Sequence, residues 1–361
     1  MSDNLRRYRA IRDALTQGYP GQPSGTVARH LTTLAALISG IVGSKSTQLP
    51  SIAAKIPDGT KPESRVKRLT RWLDNARILE EGYFLPYAER LLAHLAVETL
   101  VLVMDGSAVG RGGTALMLHV IYKGRALPLA WRVRQGPKGH FPEALHIALV
   151  ELIRACLPAG ARVVFLGDGE CDGTALQKTL TDMGWSYACR TAVSTVAMWQ
   201  GDTFRLEVVG SCSKPGRLIA LQEARITREA YGPIMVRCCW AKGCQEPLYL
   251  VSNMATAEEA CRLYQKRFRI ETFFSDQKSR GFHIHKSHIS DVQRLSRLLI
   301  ASCLAYIWVV YLGALCERDG WRRIVHRRQR CDLSLFQLGM RFLEYILNED
   351  LPIPVQFHIN I

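Results

Sequence analysis

Leu100-Val-Leu-Val-Met-Asp-Gly-Ser107 is the stretch that decides how the chain around it folds. Its first five residues form a short apolar run of β-formers, which is typical of a strand buried on both faces. The composition of the chain changes at Thr99, immediately before this run. The run ends in Asp105, so we predict a buried strand that carries a carboxylate at its C-terminal tip.

A second stretch, Arg162-Val-Val-Phe-Leu166, has the same character and places Asp168 just beyond its end. The residues between and after these strands predict a hairpin (115–122 and 126–133), helices over 142–156 and 174–183, and a further strand over 186–190. This order predicts an α/β core in which ligands bind at the strand ends. We therefore expect Asp105 and Asp168 to face the same crevice.

The cluster Asp168-Gly-Glu-Cys-Asp-Gly173 allows other interpretations. It begins like a calcium-binding EF-hand loop, but position twelve is Thr179 instead of the required Glu, and a strand leads into it. We reject that interpretation. Glu170 remains an alternative to Asp168 as the functional carboxylate, and Asp172 is predicted to be the N-cap of the following helix.

The third informative stretch is Tyr264-Gln-Lys-Arg-Phe-Arg-Ile-Glu-Thr-Phe-Phe-Ser-Asp-Gln-Lys278. It lacks Pro and Gly and is predicted to lie in the middle of a helix. At about 100° per residue, four of its polar side chains fall within about 60° of one another: Tyr264, Arg267, Glu271 and Lys278. An apolar stripe is predicted beside them, formed by Leu263, Ile270 and Phe274. Such a face suits a metal-bound phosphate; the alternative is a solvated charged face.

The spacing Y-x2-R-x3-E-x6-K in this stretch resembles the signature of DDE transposases from bacterial insertion sequences, in the cut-and-paste branch with a β-rich insertion before its catalytic Glu. All four positions match without a gap, and the resemblance extends over about residues 99–315. It implies a ribonuclease-H-like catalytic core, with Asp105, Asp168 and Glu271 as catalytic residues and ligands of two Mg²⁺ (or Mn²⁺) ions. It also implies that Tyr264, Arg267 and Lys278 hold the DNA phosphates.

Residues 191–254 resemble the β-rich insertion of that family. They contain few helix signals and several short β-type runs, over 203–209, 217–224, 234–240 and 247–251. Some members of this branch cut through a hairpin intermediate and flip a base against an aromatic side chain. Trp240 is our candidate for that contact, and the alternative is a core Trp on a strand.

The whole chain is predicted to contain five parts: a helical N-terminal DNA-binding region (1–97), the first part of the catalytic core (98–190), the insertion (191–254), the second part of the core with the signature helix (255–316), and a helical C-terminal region (317–361). Two short helices over 47–56 and 63–75, the second basic, predict a helix-turn-helix, with a plain helical bundle as the alternative. The basic run from Arg322 to Arg330 is predicted to contact DNA backbone; the alternative is a solvated face.

The net charge of +15 and the pI of about 9.5 favour a polyanionic partner, nucleic acid before membrane surface. Residues 298–316 carry no charge and are long enough to span a membrane. They contain Ser302, Tyr306, Tyr311 and Gly313, so we predict a buried core helix and no membrane partner. The eleven Cys form no paired framework and no signal peptide is evident, which predicts reduced thiols in the bacterial cytoplasm.

These features predict a transposase that binds transposon terminal inverted repeats and target DNA as double strands. We expect it to act as a homodimer on DNA, associated with the nucleoid when bound. One alternative is a metal-dependent nuclease without strand transfer, and another is a non-catalytic DNA-binding derivative. His283, His285 and His288, beyond the signature, are predicted to be surface polar groups, with DNA contact as the alternative.

Overall fold

A computed structural model describes residues 1–136, 139, 141–327 and 331–358. The strands are β1 (Leu100–Val109), β2 (Gly113–Tyr122), β3 (Arg125–Gln135), β4 (Val163–Gly167), β5 (Ser186–Arg190), β6 (Val196–Trp199), β7 (Asp202–Arg205), β8 (Leu218–Ile226), β9 (Tyr231–Cys239) and β10 (Leu248–Ser252). The helices before β1 are α1 (Asp3–Gly18), α2 (Gly25–Ser44), α3 (Leu49–Ala53), α4 (Pro62–Asp74), α5 (Glu80–Tyr83) and α6 (Leu85–Leu95). The later helices are α7 (Glu143–Cys156), α8 (Thr174–Asp182), α9 (Leu206–Ser211), α10 (Ala257–Tyr264), α11 (Arg269–Gln277), α12 (Val292–Arg318), α13 (Arg322–Val325) and α14 (Leu335–Asn348).

One mixed sheet connects all of these strands in the order β3-β2-β1-β4-β5-β10-β9-β8-β6-β7. β1, β2 and β3 are antiparallel neighbours, whereas β4 runs parallel to β1 and β5 runs parallel to β4. β10 joins β5 in antiparallel orientation, so residues 191–254 continue the same sheet. The predicted α/β class and the β-rich character of this segment are confirmed.

Helices cover both faces of the sheet around β1. Phe141, which precedes α7, lies against Gly106 on one face. On the other face, the Trp131 indole nitrogen in β3 donates a hydrogen bond to Ser296 Oγ in α12 at 2.8 Å. Every residue of β4 is buried, as is nearly all of β1, because both strands lie between these helical layers. This explains why each strand reads as a continuous apolar run.

The long helix α12 is the centre around which the terminal helical regions pack. Its Arg297 donates to the Leu73 and Ile78 carbonyls of the N-terminal region, and its Trp308 donates to the Pro354 carbonyl. Among the described residues, α2 and α12 are both long and apolar enough to cross a membrane. The apolar window of α12 is entirely buried within the protein, which confirms the prediction of a core helix.

The insertion differs from its predicted strands. The predicted run 203–209 divides into β7 and the short helix α9, and β6 was not predicted. The sulfur atoms of Cys239 and Cys261 are in contact, between the end of β9 and α10. The fold brings these two cysteines together although their spacing in the sequence showed no pairing, and the other described cysteines are free.

The helix predicted over Tyr264–Lys278 is also not continuous. α10 ends at Tyr264, a 3₁₀ turn occupies Gln265–Phe268, and α11 ends at Gln277, so Lys278 is a C-cap residue. The 3₁₀ turn changes the angular relation that a continuous helix would impose. As a result, Arg267 is buried whereas Glu271 is exposed.

The predicted N-cap of α8 is also wrong. The Asp172 carboxylate accepts a hydrogen bond from Thr191 Oγ1 at 2.9 Å and does not cap the helix. The residue that precedes α8 is Gly173. Glu143 of α7 replaces the predicted cap, since its carboxylate accepts from the Leu176 backbone nitrogen at 2.7 Å.

Candidate active site

The two predicted aspartates lie side by side. In the parallel pair β1–β4, Met104 is opposite Gly167, so the next residues, Asp105 and Asp168, stand on neighbouring strands about 4.8 Å apart. Asp105 is buried and accepts a hydrogen bond from the Gly106 backbone nitrogen at 2.7 Å. Asp168 accepts one from the Glu170 backbone nitrogen at 3.0 Å. The predicted position of Asp105 at the C-terminal tip of its strand is wrong, because β1 continues to Val109. The two carboxylates nevertheless come together at the edge of the sheet where β4 ends.

The end of β4 and the turn after it pack closely beneath these carboxylates. A Cβ atom at Gly167 would lie 2.3 Å from Cys171 Cβ, so the strand end requires glycine where the next turn folds back over it. Burial raises the pKa of the Cys171 thiol well above its usual value, and the charges of Asp168 and Asp105 raise it further. The thiol is therefore a packed, protonated neighbour of the carboxylates and no nucleophile.

Arg267 connects the third predicted carboxylate to this edge. Its Nη1 lies 3.4 Å from Asp105 Oδ2, and its Nη2 lies 3.6 Å from Glu271 Oε1. The Arg267 and Asp105 side chains are 10% and 7% exposed, whereas Glu271 is 60% exposed. The guanidinium also lies 4.8 Å from the centre of the Phe268 ring. A positive charge thus stands between a buried carboxylate and a solvent-facing one.

The remaining signature residues contact the same cleft. Burial raises the pKa of the Tyr264 phenol to about 12; Arg267 lowers that pKa and Asp168 raises it. The phenol therefore keeps its proton at neutral pH. Lys278 Nζ lies 2.7 Å from Ser107 Oγ, on the face of β1 to which Asp105 points. Ser107 was not predicted, although the two-residue period of a strand places it beside Asp105.

The chemistry of the donors suits a hard divalent cation, because Mg²⁺ and Mn²⁺ prefer carboxylate oxygens. In residues 1–136, 139, 141–327 and 331–358, however, no group of three or more His, Cys, Asp or Glu side chains is arranged to hold a metal ion. Arg267 already places a positive charge between two of the three carboxylates. The donor types suit a hard cation, but a metal ion at this position would first have to displace the guanidinium.

A cavity of about 510 Å³ opens beside Asp168, between the core and the insertion. Gly169 and residues 190–193 line one side, and residues 246, 247 and 249 line the other. No local pattern in the sequence indicates this cavity, because it depends on the non-local pairing of β5 with β10.

Trp240 follows β9 at the same edge of the sheet as Asp168. Three strand spacings separate β9 from β4, about 14 Å in all. The Trp240 indole nitrogen donates to the Cys244 carbonyl at 2.9 Å, and its backbone pairs with Arg217. It is half-buried, and these hydrogen bonds hold it within the insertion.

Part of the positive charge of the basic helix α4 is neutralised by an acidic residue of the same chain. Residues 54–61 connect α3 to α4, a longer connection than the three or four residues of a helix-turn-helix. Asp58 in this connection lies 2.8 Å from both Arg65 and Arg68, whereas Lys67 and Arg71 are exposed. In the C-terminal run, Arg322 and Arg323 line a surface cavity, and Arg328 and Arg330 lie outside the described residues.

Comparison with known proteins identifies the family. A family model described as a transposase DDE domain matches residues 99–308, more than half of the chain. The chain belongs to this DDE transposase family. Membership implies, in general terms, an enzyme that cleaves and transfers DNA. The matched region includes all seven predicted site residues.

Other comparisons add little to this assignment. No curated protein shows significant similarity to the chain. The cryo-EM structure of a piggyBac transposase synaptic complex with hairpin DNA aligns at 11% identity and a TM-score of 0.49, over 98% of this chain and 83% of that chain. This level of similarity is too low to indicate a shared mechanism.

Proposed function

We propose that this DDE transposase performs cut-and-paste transposition of a bacterial insertion sequence, using Asp105, Asp168 and Glu271. The observation that carries the proposal is the register of β1 with β4, which sets two carboxylates side by side. Arg267 then links Glu271 to the same edge. The strand order β3-β2-β1-β4-β5 supports a ribonuclease-H-like core, and the insertion follows β5.

Each residue at this edge has a role that its position supports. Two Mg²⁺ or Mn²⁺ ions held by the three carboxylates would stabilise the attacking and leaving oxygens of the phosphoryl transfer. Arg267 presents a planar fork that fixes the orientation of a phosphate. The protonated Tyr264 phenol donates a hydrogen bond, and Lys278 supplies a flexible point charge next to Ser107.

Asp168 is a better second ligand than Glu170. Asp168 directly follows Gly167, the last residue of β4 paired with β1, whereas Glu170 lies inside the 3₁₀ turn that follows. Trp240 is proposed to stack on a base if cleavage proceeds through a hairpin, since it lies along the same edge of the sheet.

The proposed partners follow from the charge of +15 and from the family. They are duplex terminal inverted repeats and target DNA, which the protein binds as a homodimer in the bacterial cytoplasm, at the nucleoid. Residues 1–97 are proposed to recognise the DNA end, with the exposed Lys67 and Arg71 of α4 available for contact.

The test is a cleavage and strand-transfer assay on a duplex that carries the terminal repeats flanking the gene for this chain. We expect Asp105→Asn, Asp168→Asn and Glu271→Gln each to lower cleavage more than about a hundredfold, because loss of a second-shell partner alone costs about 10–100-fold. Glu170→Gln is the matched control and should retain most activity. Melting temperatures of all four variants show whether they fold.

Each other outcome has a definite meaning. Loss of activity in Glu170→Gln with retention in Asp168→Asn would reassign the second ligand. Cleavage by the wild-type protein without joining would identify a nuclease. DNA binding by a folded wild-type protein that never cleaves with Mg²⁺ or Mn²⁺ would identify a non-catalytic derivative.

A further inference from the structure

The segment that leaves the signature helix, residues 279–289, separates its apolar and cationic side chains. Four residues point inward and are buried: Phe282, Ile284, Ser287 and Ile289. Four basic residues are exposed to solvent: Arg280, His285, Lys286 and His288. We call these four residues the basic ridge. Buried anchors between them hold the backbone, so the ridge has a defined shape.

Hydrogen bonds attach this segment to the end of β1 and to the N-terminal region. Lys278, directly before it, contacts Ser107, and the Ile289 carbonyl accepts from the Arg111 backbone nitrogen at 2.8 Å. Thr47 Oγ1 donates to the His283 carbonyl at 3.2 Å. The Lys278 side chain therefore reaches β1 two residues beyond Asp105, and the segment that follows ends beside Arg111, just after β1.

The backbone at both ends of the central 3₁₀ turn adopts an uncommon conformation. His283 has φ 55° and His288 has φ 60°, the left-handed region that non-glycine residues seldom occupy. Such conformations persist only where the surroundings enforce them, and they cluster at functional sites. Here they lie on either side of Ile284–Lys286, the turn that presents His285 and Lys286 to solvent.

The charged neighbours that shift the pKa of His285 are basic side chains. Burial lowers the pKa of the His285 imidazole, and the charges of Lys286, His283 and Lys278 lower it further. The lowered pKa favours the neutral imidazole in the free protein, and an anion with several oxygens, such as a phosphodiester, would favour its protonated form beside Lys286. In α4, by contrast, Asp58 already neutralises Arg65 and Arg68.

We propose that the basic ridge binds the phosphodiester backbone of duplex DNA next to the bond that is cut. The inference rests on the proposed function, because that function puts DNA at Asp105 and Asp168. The ridge then extends DNA contact beyond the signature residues, towards the N-terminal region that Thr47 and Gln48 join to it.

The test measures how DNA affinity depends on salt for Lys286→Ala and for the double variant His285→Ala/Lys286→Ala. Each phosphate contact contributes about 0.9 to the slope of log affinity against log salt. We expect Lys286→Ala to reduce the slope by about that amount, and the double variant to reduce it further at a pH where His285 is protonated. Lys178→Ala, an exposed lysine on α8, removes the same charge and is the matched control.

Two duplex probes distinguish the source of the phosphates: one with a free 3′-hydroxyl end and one closed circle. A slope reduced only on the first probe places the cut end on the ridge, and a slope reduced only on the second places target DNA there. Phosphate ethylation of the first probe locates the contacted phosphate along the DNA. Ethylation of that phosphate should interfere with binding of the wild-type protein, and this interference should disappear in Lys286→Ala.

A slope in Lys286→Ala equal to that of wild type and of Lys178→Ala, on both probes, would overturn the inference. That result in a protein that still cleaves DNA leaves the proposed function intact. A wild-type protein that binds but never cleaves would instead defeat the proposed function, while the slopes would still decide whether DNA lies on the ridge.

Discussion

The two halves of the ten-stranded sheet differ in how completely they are enclosed. In the core half, β1 to β5, helices cover both faces. Nearly every residue of β1, β2 and β4 is buried. In the insertion half, β7 and β8 are largely exposed. The three proposed catalytic carboxylates belong to the core half or to the helix packed on it. Rigid, enclosed strands therefore hold the chemistry, and the insertion contributes one wall of a neighbouring cavity.

The largest effect is expected from a glycine substitution that disturbs the enclosed core half. In the core half, Gly167→Ala would place a Cβ 2.3 Å from Cys171 Cβ and push the turn that carries Asp168. We expect a loss of about 1–3 kcal/mol in the free energy of unfolding. Cleavage should fall about a hundredfold, since a displacement of about 1 Å has that effect.

Gly169→Ala is the matched control two residues away, because a Cβ there meets no atom within 4 Å. Its activity and melting temperature should stay near those of wild type. Equal losses in the two variants would show that the turn is sensitive to any side chain. Full activity in Gly167→Ala would show that the core half is less rigid than its packing indicates.

The same contrast explains what the sequence could predict. Apart from β1, which continues past its predicted end to Val109, and the interrupted signature helix, the core strands and helices agree with their predicted positions to within a few residues. The reason is that a strand buried on both faces leaves a continuous apolar run. β6 and α9 were missed because elements of only four and six residues are too short to show such a signal. The cavity beside Asp168 and the Lys278–Ser107 contact depend on non-local pairing that no local pattern encodes.

The second prediction compares two buried arginines, Arg267 in the 3₁₀ turn beside the core half and Arg237 in the insertion half. Arg267 bridges two carboxylates at the active site, whereas Arg237 in β9 donates to the Met254 and Thr256 carbonyls. Arg267→Lys keeps the charge and loses the planar fork. We expect the single-turnover cleavage rate to fall about tenfold, or about 1.4 kcal/mol in activation free energy, with little change in stability.

Arg237→Lys should show the opposite behaviour. Its hydrogen bonds join backbone segments, so the free energy of unfolding should fall by about 1–3 kcal/mol while the cleavage rate of the folded protein stays unchanged. Single-turnover rates and denaturant melts on both variants separate the two effects. Equal rate losses would show that the insertion affects catalysis as directly as the core does.

The smallest effect concerns a buried acid of the core half, Asp276 in α11. Its carboxylate lies 3.5 Å from Arg125, and burial raises its pKa from 3.8 to about 6, although Arg125 and Arg280 lower it. The folded state therefore binds more protons than the unfolded state between pH 4 and 6. This group's contribution to stability is fully present below its unfolded pKa and is lost as pH rises through about 6.

Lowering the pH from 7 to 5 should stabilise wild type by about 1 kcal/mol relative to Asp276→Asn, in which the side chain at position 276 does not titrate. Asp202→Asn, at the exposed start of β7, should change stability equally at both pH values. Urea melts of the three proteins at pH 5 and pH 7 measure the difference. A wild-type curve parallel to that of Asp276→Asn would show that the ion pair with Arg125 keeps this acid ionised, and that the core half accommodates a buried charge as readily as the open half does.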